Sequence, residues 1–142
     1  MGPPDIEPIG LHLARVTKTV SRAFHATLAE AGGSLPVWLI LVSLKARAHG
    51  AQRELADAIG IEGATLTHHL NKMEAAGLVT RRRDPDNRRV HQVELTEAGD
   101  ALFFSLLDRV RTFDEHLRTG FADGELAQLR DLLDRLSANA AP

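Results

Sequence analysis

Eleven residues, RRRDPDNRRVH at 81–91, set five arginines against only two aspartates, Asp84 and Asp86. Their local charge is +3 in a chain of formal net charge −2, so the remainder sums to −5. A guanidinium is permanently charged, planar and weakly hydrated, which suits it to phosphate and to the narrow minor groove of a duplex. A polyanion responds to the face turned toward it and not to the net charge of the whole molecule, so the acidic remainder does not argue against such a partner. Pro85 and Asn87 lie between the strand-like runs GLVTR and VHQVELT, which puts the charges at the tip of a hairpin, a wing over 79–95. Arg88 and Arg89, just past the turn, are best placed for the minor groove. Arg81, Arg82 and Arg83 alternate in direction along the first strand, so at most two share a face and at least one is expected on phosphate.

A second polar group stands upstream. Residues 52–59 and 63–76 read as two helices joined by a tight turn through Gly60 and Ile61 and locked by Leu55, Ile59, Leu66 and Leu70. Helical spacing then leaves Ala64, Thr67, His68, Asn71 and Lys72 on the free side, near Thr65 in the exposed first turn. Thr, His and Asn donate and accept at base edges, Gly63 and Ala64 allow close approach to a major groove, and Lys72 suits a phosphate. The blander reading, ordinary solvated residues on a core helix, loses weight because a charged hairpin follows. Two such helices and a wing are the layout of a winged DNA-binding module.

These groups need a scaffold. After an arm with prolines at 3, 4 and 8, Ile9, Leu13, Val16, Val20, Phe24 and Leu28 form one helical stripe, with Arg15, Lys18, Arg22 and His25 opposite. Gly32 and Gly33 end that helix, and Ser34 with Pro36 opens a second, apolar nearly all round through Val37, Trp38, Leu41 and Leu44. His49 and Gly50 break it, and Ala51 stands where a capping Ser or Thr is expected before the third helix. Beyond the wing, Thr96 caps a long helix carrying Phe103, Leu106, Val110, Phe113 and Leu117. Gly120 interrupts, Asp123 offers a new cap, and Leu126, Leu129, Leu133 and Leu136 continue the spacing. The expected fold class is mainly α with a small β-wing: a winged helix–turn–helix lobe at 35–96 flanked by dimerisation helices at 9–31 and 97–138, within a single domain over 1–142. Leaving five or six large side chains exposed would forgo roughly 1.5–3 kcal/mol each, comparable in sum to the stability of a small domain. A homodimer is therefore expected.

The chain has 142 residues, 44% of them hydrophobic, enough for one such domain. With no cysteine, disulfides and thiolate metal sites are excluded. The longest apolar run, 38–42, is far too short for a bilayer and the start lacks a secretory signal, so the expected location is cytoplasmic, with no membrane partner. No glycine-rich phosphate loop, nucleophile elbow or HExxH is present, and the expectation is a protein without enzymatic activity. Adjacent His68 and His69 diverge on a helix and the other histidines are scattered, so neither metal nor cofactor is expected.

The run QRELADAIGIEGATLTHHLNKMEAAGLVTRRRDPDNRRVHQVELTEAG resembles the DNA-binding lobe of the MarR family, the multiple-antibiotic-resistance-type regulators. ELA, TLTHHLNKME, GLVTR, DPDNRR and VELTEAG carry the likeness, LPVWLILVSL resembles the family's second helix, and the terminal helices match its dimerisation region in length and order. The resemblance implies a dimeric transcriptional regulator, a repressor by expectation. Its recognition helices at 63–76 would lie in successive major grooves of a pseudo-palindrome and its wings in flanking minor grooves. One departure lies in the wing, where the family carries Asp, one residue, then Arg: here Asn87 precedes Arg88 and Arg89, so an amide replaces the carboxylate that would orient Arg89. The resemblance also implies relief by a small anionic or aromatic effector, for which Arg15, Lys18, Arg22, His25 and Trp38 are the candidate lining. For those five, a solvated stripe and a core tryptophan are the weightier reading.

Overall fold

Caps and glycines fix where each helix begins and stops. The computed structural model describes residues 6–47, 49–87 and 91–142. In order they form α1 (Ile9–Glu30), α2 (Leu35–Ala46), β1 (His49–Ala51), α3 (Gln52–Ile59), α4 (Gly63–Ala75), β2 (Val79–Arg83), β3 (His91–Leu95), α5 (Glu97–Leu117) and α6 (Asp123–Ala140). Ser34 Oγ accepts from the Val37 amide at 3.4 Å to start α2, whereas Ala51 supplies no side-chain cap to α3, as the sequence suggests. Gly60, at φ 79, closes α3 in the left-handed region that a β-carbon disfavours.

Two compact units divide the chain, Met1–Val110 and Arg111–Pro142. In the first, Leu28 of α1, Ile40, Leu41 and Leu44 of α2, Leu55 of α3, Leu66, Leu70 and Met73 of α4, and Leu106 of α5 are all buried, with Val79 and Val93 from the sheet. Burying each such side chain is worth roughly 1.5–3 kcal/mol. The face of α4 assigned inward by spacing is thus the face that faces in. The stripe of α1 is not uniformly covered: Leu28 is buried and Phe24 partly so, but Ile9 and Val16 remain 62% and 44% exposed.

The sheet corrects the sequence reading. His49 and Gly50 were expected only to break a helix, yet residues 49–51 form β1, which pairs antiparallel with β3 in the register Gly50 to Val93, giving the order β1-β3-β2. Three residues are too few to display a period of two, and their pairing is set by a strand some forty positions away, so no local signal marks them.

The base of the wing is clasped to the start of α5. Thr96 Oγ1 accepts from the Gly99 amide at 3.1 Å and donates to the Gly77 carbonyl at 2.5 Å, while the Thr96 amide donates to Leu78 O at 3.1 Å. The approach is close enough that a β-carbon on Gly99 would lie 2.1 Å from the Leu78 carbonyl oxygen. Lys45 Nζ reaches Asp100 at 2.6 Å and Arg109 reaches Glu30 at 2.9 Å, so α5 is pinned to α2 and to α1 as well.

In the second unit, Asp123 is not the expected cap. Ala122 holds that position, and the Glu125 carboxylate reaches back to its amide at 2.9 Å, leaving Asp123 as the first helical residue. Leu129, Leu132 and Leu133 of α6 are exposed. Among the described residues no single helix is long and apolar enough to cross a membrane.

Candidate nucleic-acid interface

With Leu66, Leu70 and Met73 turned into the core, α4 presents Ala64, Thr65, His68, Asn71 and Lys72 to solvent. Five of the six helix residues expected at a duplex therefore share one exposed surface. Thr67 does not join them. It is half-buried, its hydroxyl accepts from Gln52 Nε2 at 2.7 Å and donates to the Gly63 carbonyl at 2.9 Å, so it braces α3 against α4 instead of offering itself to a base. His68 is exposed and its ring meets that of His69 edge-on at 5.7 Å.

The three arginines of β2 part company. Arg81, opposite Val93, is only 17% exposed and its Nη2 donates to Asn71 Oδ1 at 2.5 Å and to Glu74 Oε1 at 3.0 Å. This bond holds the Glu74 carboxyl below its usual range. Arg82 points to the other face and pairs with Glu94 on β3 at 2.7 Å. Arg83, opposite His91, is exposed and has no ion pair among the described residues. Alternation along the strand, expected from its pleat, sets Arg82 on the face opposite Arg81 and Arg83, and the contacts of Arg81 with α4 separate it from Arg83. Arg88 and Arg89, expected to be foremost in the minor groove, lie outside the described residues.

The turn into the wing tip is built by Asp84. Its Oδ1 accepts from the Asp86 amide at 2.8 Å and its Oδ2 from Gln92 Nε2 at 3.2 Å, so the two sides of the hairpin meet at one carboxylate. The Asp86 amide first, and the Gln92 side chain next, lower the Asp84 pKa. This Asx turn is the local reason for the chain reversal that Asp, Pro, Asp and Asn signal in sequence.

Between the wing and the two helices runs an open cleft of about 1000 Å³, whose walls include Gln52, Arg53, Asp57, Gly63, Thr67 and Asn87. Arg53 is exposed, forms no ion pair among the described residues and was not among the residues singled out from sequence. The available signal was its place in the first turn of the helix preceding α4, the helix that crosses the phosphate backbone in helix–turn–helix modules.

Of the residues suggested for an effector, four lie along one helix and Trp38 lies on another. Arg15, Lys18, Arg22 and His25 are all exposed along α1, with Arg15 paired to Glu7. Trp38 stacks on Phe103 at 5.5 Å and an interplanar angle of 8°. Among the described residues no hydrogen bond joins Trp38 to Arg15, Lys18, Arg22 or His25.

Residues 34–91 match the model of the MarR family. A curated relative, an uncharacterized helix–turn–helix-type transcriptional regulator, YdgJ of Bacillus subtilis strain 168, is 30% identical over 89 residues. Those residues are 63% of this chain but only 54% of the relative, so the match spans about half of that protein's length. Among solved structures, a MarR-family transcriptional regulator from Rhodococcus sp. RHA1 superposes with a TM-score of 0.77 at 29% identity, covering 90% of this chain and 91% of its own. The transcriptional repressor CouR, bound to a 23-mer DNA duplex, superposes with a TM-score of 0.83 at 25% identity, covering 92% of each chain. The mostly helical winged fold with a small three-stranded sheet is the fold of these regulators.

Proposed function

We propose that the chain is a member of the MarR family, whose model matches residues 34–91, and that it is a dimeric, sequence-specific DNA-binding transcriptional regulator acting as a repressor. Members of the family are transcriptional regulators and not enzymes. The observation that carries the reading is the exposed polar face of α4, with Ala64, Thr65, His68, Asn71 and Lys72 on one surface beside an arginine-bearing wing. In this reading α4 lies in a major groove, Lys72, Arg53 and Arg83 meet phosphates, and Arg88 and Arg89 take the minor groove. The likeness to CouR, a repressor bound to DNA, supports both the duplex and the sense of regulation.

The dimer is supported by apolar surface left without a partner in each unit: Ile6, Ile9, Leu11 and Val16 in the first, and Leu117, Phe121, Leu129, Leu132 and Leu133 in the second. Relief by a small anionic or aromatic effector belongs to the same proposal. Its support is the exposed row of Arg15, Lys18, Arg22 and His25, together with a depression of about 360 Å³ on α1 lined by His12, Arg15, Val16, Thr19 and Val20. Trp38 is already occupied by Phe103 and adds little to it.

Fragments selected from random duplex DNA, followed by titration at two salt concentrations, test the reading. A defined pseudo-palindrome bound more weakly at higher salt is the expected result. Arg89→Ala should weaken binding to every sequence and reduce the salt slope by about one. A parent protein with no ionic-strength-dependent affinity for any duplex overturns it.

A further inference from the structure

Arg81 is one of three strand arginines of which at least one was expected on phosphate, but its guanidinium is turned inward, across the angle between β2 and α4, onto the side chain of Asn71. That bond decides how Asn71 faces outward. Arginine has donors and no acceptor, so the amide atom it touches at 2.5 Å must be the carbonyl oxygen. The Asn71 oxygen is therefore drawn back toward the wing, and its NH2 group is left as the hydrogen-bonding end available on the exposed face of α4. Glu74 Oε1, at 3.0 Å from the same Nη2, fixes the guanidinium in place one turn further along the helix.

We infer that Arg81 is a positioning residue that makes Asn71 a hydrogen-bond donor, so that this point of the recognition helix selects guanine over adenine. An asparagine free to turn makes a paired contact with adenine, accepting from N6 and donating to N7. Here one lone pair of its oxygen is taken, and the adjacent positive charge disfavours the approach of a second donor such as adenine N6. Guanine presents only acceptors, N7 and O6, on its major-groove edge, and matches an NH2 group backed by a guanidinium. The inference rests on α4 lying in the major groove.

The test measures base preference at one operator position. The position is identified as the base pair at which Asn71→Ala flattens the preference of the parent in competition titrations with single-base-pair variants of the selected duplex. The parent should prefer guanine to adenine there by on the order of tenfold. Arg81→Met should bring that ratio close to unity while leaving preferences at positions read by His68 intact, and Arg81→Lys, which keeps a donor for the oxygen, should restore most of it. Glu74→Gln keeps an acceptor for Arg81 and should behave as the parent. Asn71→Asp, which retains the contact with Arg81 but lacks the NH2 group, should lose the guanine preference with an unchanged melting temperature, and it stands in if Arg81→Met does not fold.

Adenine chosen by the parent at the Asn71-dependent position, or an unchanged ratio in Arg81→Met or in Asn71→Asp, overturns the inference and leaves the DNA-binding reading intact. An equal shift in Glu74→Gln and Arg81→Met also overturns it, because general loosening of the wing then explains both. A parent without salt-dependent affinity for any duplex sinks the reading and this inference with it.

Discussion

Replacing Gly99 with alanine tests whether the clasp between wing and α5 is as tight as it is drawn. The added β-carbon would lie 2.1 Å from the Leu78 carbonyl oxygen, a backbone atom that cannot swing aside. Non-bonded heavy atoms settle at about 3.5 Å, so the start of α5 must retreat by roughly 1.4 Å. That movement strains the Thr96 amide bond to Leu78 O, now 3.1 Å, and the Thr96 hydroxyl bond to Gly77 O, now 2.5 Å. Overpacking costs about 1–3 kcal/mol and each weakened hydrogen bond about 1 kcal/mol, against a helix-propensity gain of at most about 1 kcal/mol. The net is a destabilisation of about 3 kcal/mol, which for a chain of this size lowers the melting temperature by on the order of 10 °C. Gly10 is the control: it is helical, without a positive φ, and a β-carbon there meets nothing within 4 Å, so Gly10→Ala should leave stability equal or raised by up to about 1 kcal/mol. Thermal unfolding followed by helical circular dichroism reads both. A Gly99→Ala protein melting within about 2 °C of the parent would refute the argument, since under 1 kcal/mol would then separate them.

Thr67→Val should cost about 1 kcal/mol by stranding Gln52 Nε2, without changing which base pairs are preferred, whereas His68→Ala should change preference with little loss of stability; chemical denaturation and selection from random duplexes separate the two. Val16→Asp places a charge in the uncovered stripe of α1, and sedimentation at micromolar concentration should register a shift from dimer to monomer. A pKa lowered by folding means that the wing turn's dependence on the Asp84 carboxylate is satisfied above the ordinary aspartate value of about 3.9 and is lost as pH falls through the lower folded value. Hydrogen exchange of the Asp86 amide should therefore keep its protection from pH 7 down to about 4 and lose it below; Asp84→Asn, whose amide oxygen still accepts, should remove this acid sensitivity.

Much of this architecture was legible because it is written in local periods and stops. The α4 face of Leu66, Leu70 and Met73, the stop at Gly60, the cap at Thr96 and the missing cap at Ala51 all follow from residues within one or two turns. What stayed hidden depends on partners distant in sequence. Gln52 takes Thr67 from the surface across 15 residues, and Arg81 takes the oxygen of Asn71 across 10. Helical spacing places Asn71 correctly on the exposed side of α4 but puts Thr67 there too, and it does not say which of their atoms are already bonded.

The same distinction changes what five wing arginines mean for affinity. Counterion release scales with the phosphates neutralised, at about −0.9 in slope for each contact on duplex DNA. Arg81 and Arg82 already face Glu74 and Glu94, so each pair approaches a phosphate nearly neutral and releases few ions. Around the proposed interface, the described cations that form no ion pair among the described residues include Arg83 on the wing, Lys72 on α4 and Arg53 on α3. Salt dependence should therefore be spread over helix and wing together. Arg82→Ala should change the slope much less than Arg83→Ala or Arg53→Ala, although both wing residues stand side by side on one strand. Equal losses of slope from Arg82 and Arg83 would mean that the Glu94 pair opens on contact with DNA, and that the pairing seen in the free protein does not predict its electrostatics when bound.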